Sequence, residues 1–177
     1  MKNFSKLVFT ALFVLAVAPA FSQFSGGLEL GLPSGSLSDV SNIGFGVNLR
    51  YEAPIQDKLN WTASAGFVSF SGKSYNFSGF KGNYPSITVI PITGGIKYYF
   101  QETNAGFYAA ADIGFFIGSV SVVDPFSGKS VSSSETKFGI APGVGYRVEK
   151  FDFTFRYNSA SDLSFIGLRA AYIFGSK

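Results

Sequence analysis

The sequence predicts an all-β protein, an eight-stranded antiparallel up-and-down transmembrane β-barrel behind an export signal. The first observation is composition: only 14% of the 177 residues are charged, and glycine and phenylalanine each occur 21 times. A typical soluble domain carries about 25% charged residues. The second observation is a period-two alternation of apolar and polar residues, which indicates strands. The third is an alternation of short and long connections, which is typical of outer-membrane barrels.

Residues 1–22 have the pattern of a secretory signal peptide. Lys2 and Lys6 supply a basic start, and an apolar run follows over 7–20. A basic start, a short apolar run and small residues before the cleavage point are typical of these signals. The alternative, a single membrane anchor, is disfavoured because the run is shorter than the roughly 20 residues needed to span a bilayer.

The cleavage point divides the signal from the barrel domain. Ala20 and Ser22 are the small residues that suit cleavage after Ser22, and cleavage after Ala20 also fits the pattern. With the first choice, the barrel domain covers 23–177. Removing the two lysines of the signal lowers the formal net charge from 14 − 11 = +3 to 12 − 11 = +1. The exported protein is nearly neutral, so its charge gives no reason to expect a nucleic-acid partner.

Alternation beyond the signal predicts eight strands. In 43–52 one face reads Ile, Phe, Val, Leu, Tyr, and in 151–158 one face is wholly aromatic and the other wholly polar. The strands are expected at about 25–32, 43–53, 59–70, 86–100, 105–121, 135–148, 150–158 and 163–174. Pro91 and Pro142 fall inside two of them. Because proline removes a hydrogen-bond donor from the ladder, a bulge or bend is expected at each.

The connections between these strands differ in length. Short turns are expected at 54–58, at 101–104 and near 149. Longer loops are expected at 33–42, 71–85, 122–134 and 159–162. Because consecutive strands run up and down, the short turns share one end of the barrel and the longer loops share the other.

Two kinds of barrel differ in which face points outward. A soluble barrel encloses its apolar face around a ligand, whereas a membrane barrel turns that face to lipid. Here the polar face carries six basic and four acidic residues: Glu29, Arg50, Glu52, Lys97, Asp112, Lys137, Arg147, Asp152, Arg156 and Arg169. Each Arg or Lys moved to the lipid face would cost roughly 2–4 kcal/mol at the midplane. We therefore expect a membrane barrel whose inner charges form an ion-paired plug.

Aromatic residues flank the predicted short turns. They are Tyr51, Trp61, Tyr98, Phe100, Phe107, Tyr146, Phe151, Tyr172 and Phe174. In an up-and-down barrel all of them fall at one end, where amphipathic rings favour the lipid headgroup region. The core of a soluble sandwich would not predict this clustering.

A family resemblance is carried by four segments: 90–100, 107–110, 141–147 and 167–174. With most of the exported chain, they resemble the small outer-membrane β-barrel domain family, which includes the OmpA transmembrane domain and the OmpX and OmpW types. The resemblance implies an outer-membrane location in contact with membrane lipids, and we expect a monomer. The last segment is similar to the C-terminal signal read by the barrel-assembly machinery. Such signals usually end on the aromatic residue, whereas here 175–177 follow Phe174.

The composition excludes several kinds of chemistry. The chain has no histidine and no cysteine, so it lacks the usual zinc ligands and the commonest general base. The Gly-Lys-Ser triplets at 72–74 and 128–130 lack the earlier glycine and the following helix of a phosphate-binding loop. The four inner acids are interpreted as partners in the plug and not as catalytic acids. We expect no enzyme activity, no metal, no cofactor and no nucleic-acid partner.

The loop 71–85 is the predicted binding surface. Its candidate contact residues are Lys73, Tyr75, Phe77, Phe80, Lys81 and Tyr84. Aromatic side chains supply contact area at low entropic cost, and the Ser, Gly and Asn residues around them adapt to a partner. The two lysines favour an anionic partner, such as lipopolysaccharide or an acidic glycan. The alternative is structural: the rings extend the barrel wall above the membrane or fold inward as a lid.

Three functions are compatible with these features. The leading one is a non-enzymatic barrel that acts in envelope structure or binds through its extracellular loops. The second is a narrow transport barrel for small or apolar solutes, and the third is an accessory subunit of a secretion or assembly system. An eight-stranded barrel has room for little beyond its own side chains, which favours the first function over the second.

Overall fold

A computed structural model of the chain describes residues 23–77, 80–101, 104–123 and 130–174. The predicted signal lies outside the described residues. The elements in chain order are β1 (Gln23–Pro33), α1 (Ser36–Val40), β2 (Ser41–Gln56), β3 (Leu59–Gly72), β4 (Ser74–Phe77), β5 (Phe80–Asn83), β6 (Ile87–Tyr99), β7 (Gly106–Val123), β8 (Ser130–Val148), β9 (Phe151–Asn158), a 3-10 helix (Ser161–Leu163) and β10 (Phe165–Phe174). Among the described helices, none is long and apolar enough to cross a membrane.

The barrel wall is closed by eight strands. Their order is β1-β10-β9-β8-β7-β6-β3-β2, and β2 returns to pair with β1. All neighbours are antiparallel, and in the β1–β10 pair Glu29 lies opposite Arg169. Closure pairs the backbone groups of each wall strand on both sides, which is the condition for a sheet in lipid. The predicted eight-stranded antiparallel up-and-down barrel is confirmed.

The predicted loops contain more regular structure than expected. The short helix α1 lies within 33–42, and 71–85 contains β4 and β5, which pair only with each other as a separate two-stranded sheet. β7 and β8 stay paired as far as Val123 and Ser130. Both strands therefore extend into the predicted loop 122–134, because the alternation of serine and β-branched valine continues beyond the membrane wall.

The barrel has two different ends. The short-turn end carries the connections 57–58, 100–105 and 149–150, each of which joins two neighbouring strands. The long-loop end carries α1, the β4–β5 hairpin, the extension of β7 and β8, and the 3-10 helix. All irregular or protruding structure among the described residues is thus concentrated at the long-loop end, as the connection lengths predicted.

Pro91 and Pro142 interrupt strand pairing without shifting it. The β3–β6 ladder has a short gap beside Pro91 and resumes in the same register. The β8–β9 ladder has a similar gap beside Pro142, followed by an isolated bridge between Ile140 and Ser159. The described register shifts lie instead between β2 and β3, one of them at Pro54. The expected bulge is therefore wrong at both prolines, because the missing donor removes ladder hydrogen bonds but leaves the register intact, and the bend expected as its alternative stays a prediction.

The outward face is apolar and carries clustered aromatic rings at the short-turn end. Leu28 and Phe45 are among its exposed side chains. The Tyr51 ring packs between Phe24 and Trp61 at centroid distances of 4.9 and 5.0 Å. Further ring pairs at this end are Tyr98–Phe100, Phe107–Tyr146, Phe151–Tyr172 and Tyr172–Phe174. This arrangement suits the headgroup region of a bilayer.

The interior has two layers of opposite character. Inward side chains are polar and charged toward the short-turn end and apolar toward the long-loop end. The apolar layer consists of Leu37, Val68, Phe70, Val89, Phe116, Ala141, Ala160, Leu163 and Phe165. Within it, the Phe70 and Phe165 rings meet edge to face at 5.4 Å. The sequence pattern did not predict this layer, because strand alternation assigns the apolar face of each strand to lipid alone.

The closed wall predicts heat-modifiable migration in SDS gels. A barrel whose wall strands are paired on both sides resists the detergent until it is heated, so unheated and boiled samples are expected to migrate at different positions. Leu30→Pro removes a hydrogen-bond donor from β1 and weakens the wall, so this variant is expected to lose the shift at a lower temperature than the wild type. Identical migration of unheated and boiled wild type, or its recovery with soluble periplasmic proteins, would contradict the membrane barrel.

Candidate functional site

The charged residues of the inner face lie together inside the barrel. Nine of the ten are buried: Glu29, Arg50, Glu52, Lys97, Asp112, Arg147, Asp152, Arg156 and Arg169. The tenth, Lys137, is on the same side of its strand but lies nearer the long-loop end, where it is partly exposed and pairs with Glu135 at 3.0 Å. Its assignment to the plug is therefore wrong, because β8 continues beyond the enclosed part of the lumen.

Asp112 on β7 is the centre of one ion-paired group. Its Oδ2 accepts a hydrogen bond from Arg50 at 3.1 Å and lies 3.7 Å from Nη1 of Arg156. Its Oδ1 accepts a hydrogen bond from the Thr62 hydroxyl at 2.8 Å. Arg156 also donates to both carboxylate oxygens of Glu29, at 2.9 and 3.1 Å. Two acids and two guanidinium groups from four strands thus neutralise one another across the lumen.

Asp152 on β9 is the centre of a second group. The Lys97 ammonium lies 2.5 Å from Oδ2 of Asp152 and 2.9 Å from Oε2 of Glu52. The Tyr108 hydroxyl donates to Asp152, and the Tyr99 hydroxyl donates to Glu52 at 2.8 Å. The ammonium also lies 4.0 Å from the centroid of the Tyr108 ring, which adds a cation–π contact. This lysine is therefore held by two carboxylates and an aromatic face.

Arg169 on β10 extends the second group toward β1. It donates to the Ser25 hydroxyl at 2.7 Å, and its Nη1 lies 3.9 Å from Oδ1 of Asp152. Arg147 lies directly opposite Asp152 on the neighbouring strand. Each of the four buried acids thus has a cationic partner within 4 Å. Such pairing is what buried charges require.

Glycines on the inner face leave space for these large side chains. A Cβ added to Gly145 would lie 2.2 Å from the Tyr108 ring, and one added to Gly167 would lie 2.7 Å from Oε1 of Glu29. Those distances are too short for a carbon atom, so an alanine at either position would displace a member of the network. Because the barrel is narrow, glycines on the inner face leave the space that the large inward side chains occupy.

The neutral members of the network were not singled out in the sequence. They are Ser25, Asn60, Thr62, Tyr99, Tyr108 and Thr154. Each of them occupies an inward position of its strand, so strand parity was a sufficient signal. Because these six side chains are uncharged, the pattern of charged residues on the inner face does not reveal them.

The β4–β5 hairpin lies outside the barrel sheet at the long-loop end. The Tyr75 and Tyr84 rings pack together at a centroid distance of 5.1 Å and remain 46% and 41% exposed. A shallow hollow of about 460 Å³ beside them is lined by Ser74, Tyr75, Asn76, Gly82 and Asn83. Both rings are therefore accessible at the surface of the hairpin.

Lys73 is committed to a structural contact. Its ammonium donates to the Ser38 carbonyl at 2.5 Å, and its backbone N–H donates to the Val40 carbonyl at 2.8 Å. These bonds fasten α1 to the base of the hairpin. The charge of Lys73 therefore lies against the C-terminal end of α1, and its contact with an anionic ligand stays a prediction.

The other predicted contact residues lie at the ends of β4 and β5 that adjoin the turn of the hairpin. Phe77 and Phe80 are opposite each other in the β4–β5 ladder, and Lys81 is opposite Asn76. The side chains of Phe77, Phe80 and Lys81 lie outside the described part of the structure. Their backbone positions place them farther from the barrel than the Tyr75–Tyr84 pair.

The chemistry of these two places differs. The four buried carboxylates form ion pairs with lysine and arginine, and two of them also accept hydrogen bonds from tyrosine. This arrangement suits a structural plug. Across the described ranges, no group of three His, Cys, Asp or Glu residues is placed to hold a metal ion. The hairpin instead offers an exposed aromatic pair beside small polar residues, which suits contact with an external partner.

A family model and solved structures match this architecture. The model described as the outer membrane protein beta-barrel domain matches residues 7–174. The chain belongs to this family. It is similar to Ail, the attachment invasion locus protein of Yersinia pestis, in complex with the heparin analogue sucrose octasulfate, with 17% identity over 86% of this chain and 97% of that one and a TM-score of 0.59.

Two further solved structures are similar to the chain. Another structure of Ail is 16% identical over 86% of this chain and 97% of that one, with a TM-score of 0.55. The N-terminal β-barrel domain of Pseudomonas aeruginosa OprF is 11% identical over 87% of this chain and 98% of that one, with a TM-score of 0.49. No curated protein sequence matches the chain. The family resemblance seen in the sequence is confirmed, and the likeness to Ail extends to the fold alone.

Replacing Arg156 with leucine is expected to destabilise the barrel strongly. The change leaves Glu29 buried without its guanidinium partner, and an uncompensated buried charge costs roughly 3–5 kcal/mol. Unfolding by denaturant, followed through the fluorescence of Trp61, is expected to show a lower midpoint. The matched control is Lys137→Leu, which breaks a partly exposed ion pair and is expected to leave the midpoint nearly unchanged.

The double variant Arg156→Leu with Glu29→Leu tests the same pairing. It removes both charges at once, so part of the lost stability is expected to return. An unchanged midpoint for Arg156→Leu alone would contradict the ion-paired interior.

Proposed function

We propose that the protein is a non-enzymatic outer-membrane barrel that binds an anionic carbohydrate at the cell surface through its β4–β5 hairpin. The long-loop end faces the cell exterior in this proposal, and the ion-paired lumen is closed to solutes. The observation that carries the proposal is the exposed Tyr75–Tyr84 pair on a hairpin outside the barrel wall.

The hairpin has the features of a sugar-binding surface. Two exposed rings offer flat apolar faces, and the adjoining hollow is lined by serine and asparagine side chains that can hydrogen-bond hydroxyl groups. Tyrosine has few rotatable bonds, so holding it against a partner costs little entropy. The bonds from Lys73 to α1 hold the base of the hairpin in place, which also limits the entropy lost on binding.

The anionic character of the partner rests on Lys81 and on a structural relative. Lys81 lies within the hairpin ladder, whereas Lys73 lies at the base of the hairpin and bonds to α1. Ail, which has the same fold, was solved with the heparin analogue sucrose octasulfate, a sulfated sugar. Lipopolysaccharide and acidic polysaccharides share this chemistry, since both present negative charge on sugars.

The closed lumen and the absence of catalysis are parts of the same proposal. The inward charges are engaged with one another in the two ion-paired groups, which supports a lumen without a transport path. The four buried acids are likewise engaged, and the chain has no histidine or cysteine. We further propose that the barrel is monomeric and that its last strand, β10, is read by the barrel-assembly machinery.

Replacing Tyr75 and Tyr84 with serine is expected to abolish binding to anionic carbohydrate. Protein reconstituted in lipid nanodiscs would be passed over immobilised heparin and, separately, over immobilised lipopolysaccharide. The wild type is expected to bind at least one of them, and the double variant is expected to lose at least tenfold in affinity. Binding to immobilised heparin alone would indicate a sulfated polysaccharide as the partner, and binding to immobilised lipopolysaccharide alone would indicate lipopolysaccharide.

The matched control removes two exposed tyrosines at the opposite end of the barrel. Tyr98→Ser with Tyr172→Ser is expected to bind like the wild type, because these rings face the lipid interface. Wild-type affinity in the hairpin variant, or equal losses in both variants, would contradict binding through the hairpin. Heat-modifiable migration in each variant confirms that the barrel has folded.

A further inference from the structure

A second feature of the long-loop end is a cavity that the hairpin does not line. Its volume is about 250 Å³, and it lies where the lumen opens between α1 and the 3-10 helix. Leu37, Val40, Ile87, Val120 and Leu163 form its apolar wall. Leu37 and Leu163 also belong to the apolar layer beneath, so the cavity continues the hydrophobic interior outward.

The rim of this cavity is acidic. Glu135 on β8 and Asp162 on the 3-10 helix both line it. Lys137 is the cation beside them, and its ammonium pairs with Glu135 at 3.0 Å. On the side formed by β8 and the 3-10 helix, two carboxylates face one ammonium group, so this side of the rim has one negative charge in excess, and Asp162 carries it.

The walls of the cavity are held by hydrogen bonds. Lys73 fastens α1 through the carbonyls of Ser38 and Val40. The backbone N–H of Ser34, just before α1, donates to the Ser164 carbonyl at 2.9 Å, which ties α1 to the 3-10 helix. The cavity is therefore a preformed feature of the fold, as small-molecule sites usually are.

We propose that this cavity binds a small apolar amine from the cell exterior. The apolar wall takes the hydrocarbon part of the ligand, and the excess carboxylate at the rim pairs with its ammonium group. A carboxylic acid of the same shape is disfavoured because it would place like charges together at the rim. The chemical class is thus a cation with one compact hydrophobic group.

The volume sets the size of the ligand. An apolar cavity of about 150 Å³ holds benzene, whereas sites for drug-sized ligands have roughly 300–1,000 Å³. At about 250 Å³, this cavity suits a single substituted ring or a short branched alkyl group. Larger amphiphiles such as membrane lipids do not fit.

The layers beneath make this a binding site and not the mouth of a channel. The apolar layer closes the floor, with Phe116 and Phe165 fully buried in it. Below that layer, the two ion-paired groups fill the lumen toward the short-turn end. A ligand that enters from outside has no onward path among the described residues, so it must leave as it came.

The probe ligands are benzylamine, benzyl alcohol and benzoate, which share a ring and differ in charge. Binding to the wild type in nanodiscs would be followed by shifts in the backbone amide NMR signals of Gly118, Val120 and Leu163. Benzylamine is expected to produce saturable shifts at these positions, with benzyl alcohol weaker and benzoate weakest. Equal affinity for benzylamine and benzoate would overturn the charge assignment.

Two variants test the site itself. Val120 occupies an inward position of β7, so Val120→Phe is expected to fill the cavity and abolish the benzylamine shifts. Nanodiscs that contain the Val120→Phe variant also report how much of the ligand partitions into the lipid. Persistence of the saturable shifts in Val120→Phe, or their absence in the wild type, would overturn the proposal.

A matched pair of charge variants tests the rim. Asp162→Asn is expected to weaken benzylamine binding at least threefold and to leave benzyl alcohol unchanged. Asp57→Asn removes the same charge at the short-turn end and is expected to change neither. Equal effects of the two variants on benzylamine would show that overall charge and not the rim governs binding, which overturns the proposal. None of these variants alters the β4–β5 hairpin, so carbohydrate binding provides an independent readout.

Discussion

The exclusion of charge from lipid governs the rest of this structure. A lysine or arginine on the lipid-facing wall would cost roughly 2–4 kcal/mol at the midplane, so the charged residues of the wall strands point inward. Inside, an unpaired charge would be costly again, because the lumen is narrow and shielded from bulk water. The network around Asp112 and Asp152 resolves both problems, since each buried acid meets a cation from another strand. The same ion pairs join strands that are not neighbours in the wall.

The division of the interior into two layers follows the two ends of the barrel. The ion-paired groups fill the half of the lumen near the short turns, where the outer wall carries its aromatic belt. The other half is filled by Phe70, Phe116, Phe165 and their neighbours, which pack as an ordinary hydrophobic core. That core supports α1 and the 3-10 helix from below. The long-loop end, which carries the hairpin and the cavity, therefore lies on a packed hydrophobic core.

Strand alternation in the sequence was sufficient to predict the closed barrel, and nine of the ten charges that it assigned to the lumen are buried. It failed at Lys137 because parity states which face a residue occupies and not how far along the barrel the enclosed lumen extends. The apolar layer was missed for a related reason. Adjacent apolar pairs such as Phe67-Val68 and Phe115-Phe116 mark levels where both faces of a strand are apolar, and such pairs break the alternation used to recognise strands.

The hairpin shows a different limit of the sequence. Composition favoured a binding surface in 71–85, where the Tyr75 and Tyr84 rings are exposed, but it could not state that Lys73 would bond to Ser38, 35 positions earlier. That contact depends on the loops of β1–β2 and β3–β6 meeting at one end of a closed barrel. Long-range contacts of this kind follow from the tertiary fold, so local propensity and charge counting do not reveal them.

We propose that paired charges and a hydrophobic layer seal the lumen, so that the protein acts at its surface and not as a channel. Single-channel recording of the purified, refolded protein in planar lipid bilayers tests this claim most directly. The account predicts no steady current above the baseline of protein-free bilayers at moderate voltage. Large, steady single-channel currents from protein that shows heat-modifiable migration would contradict it.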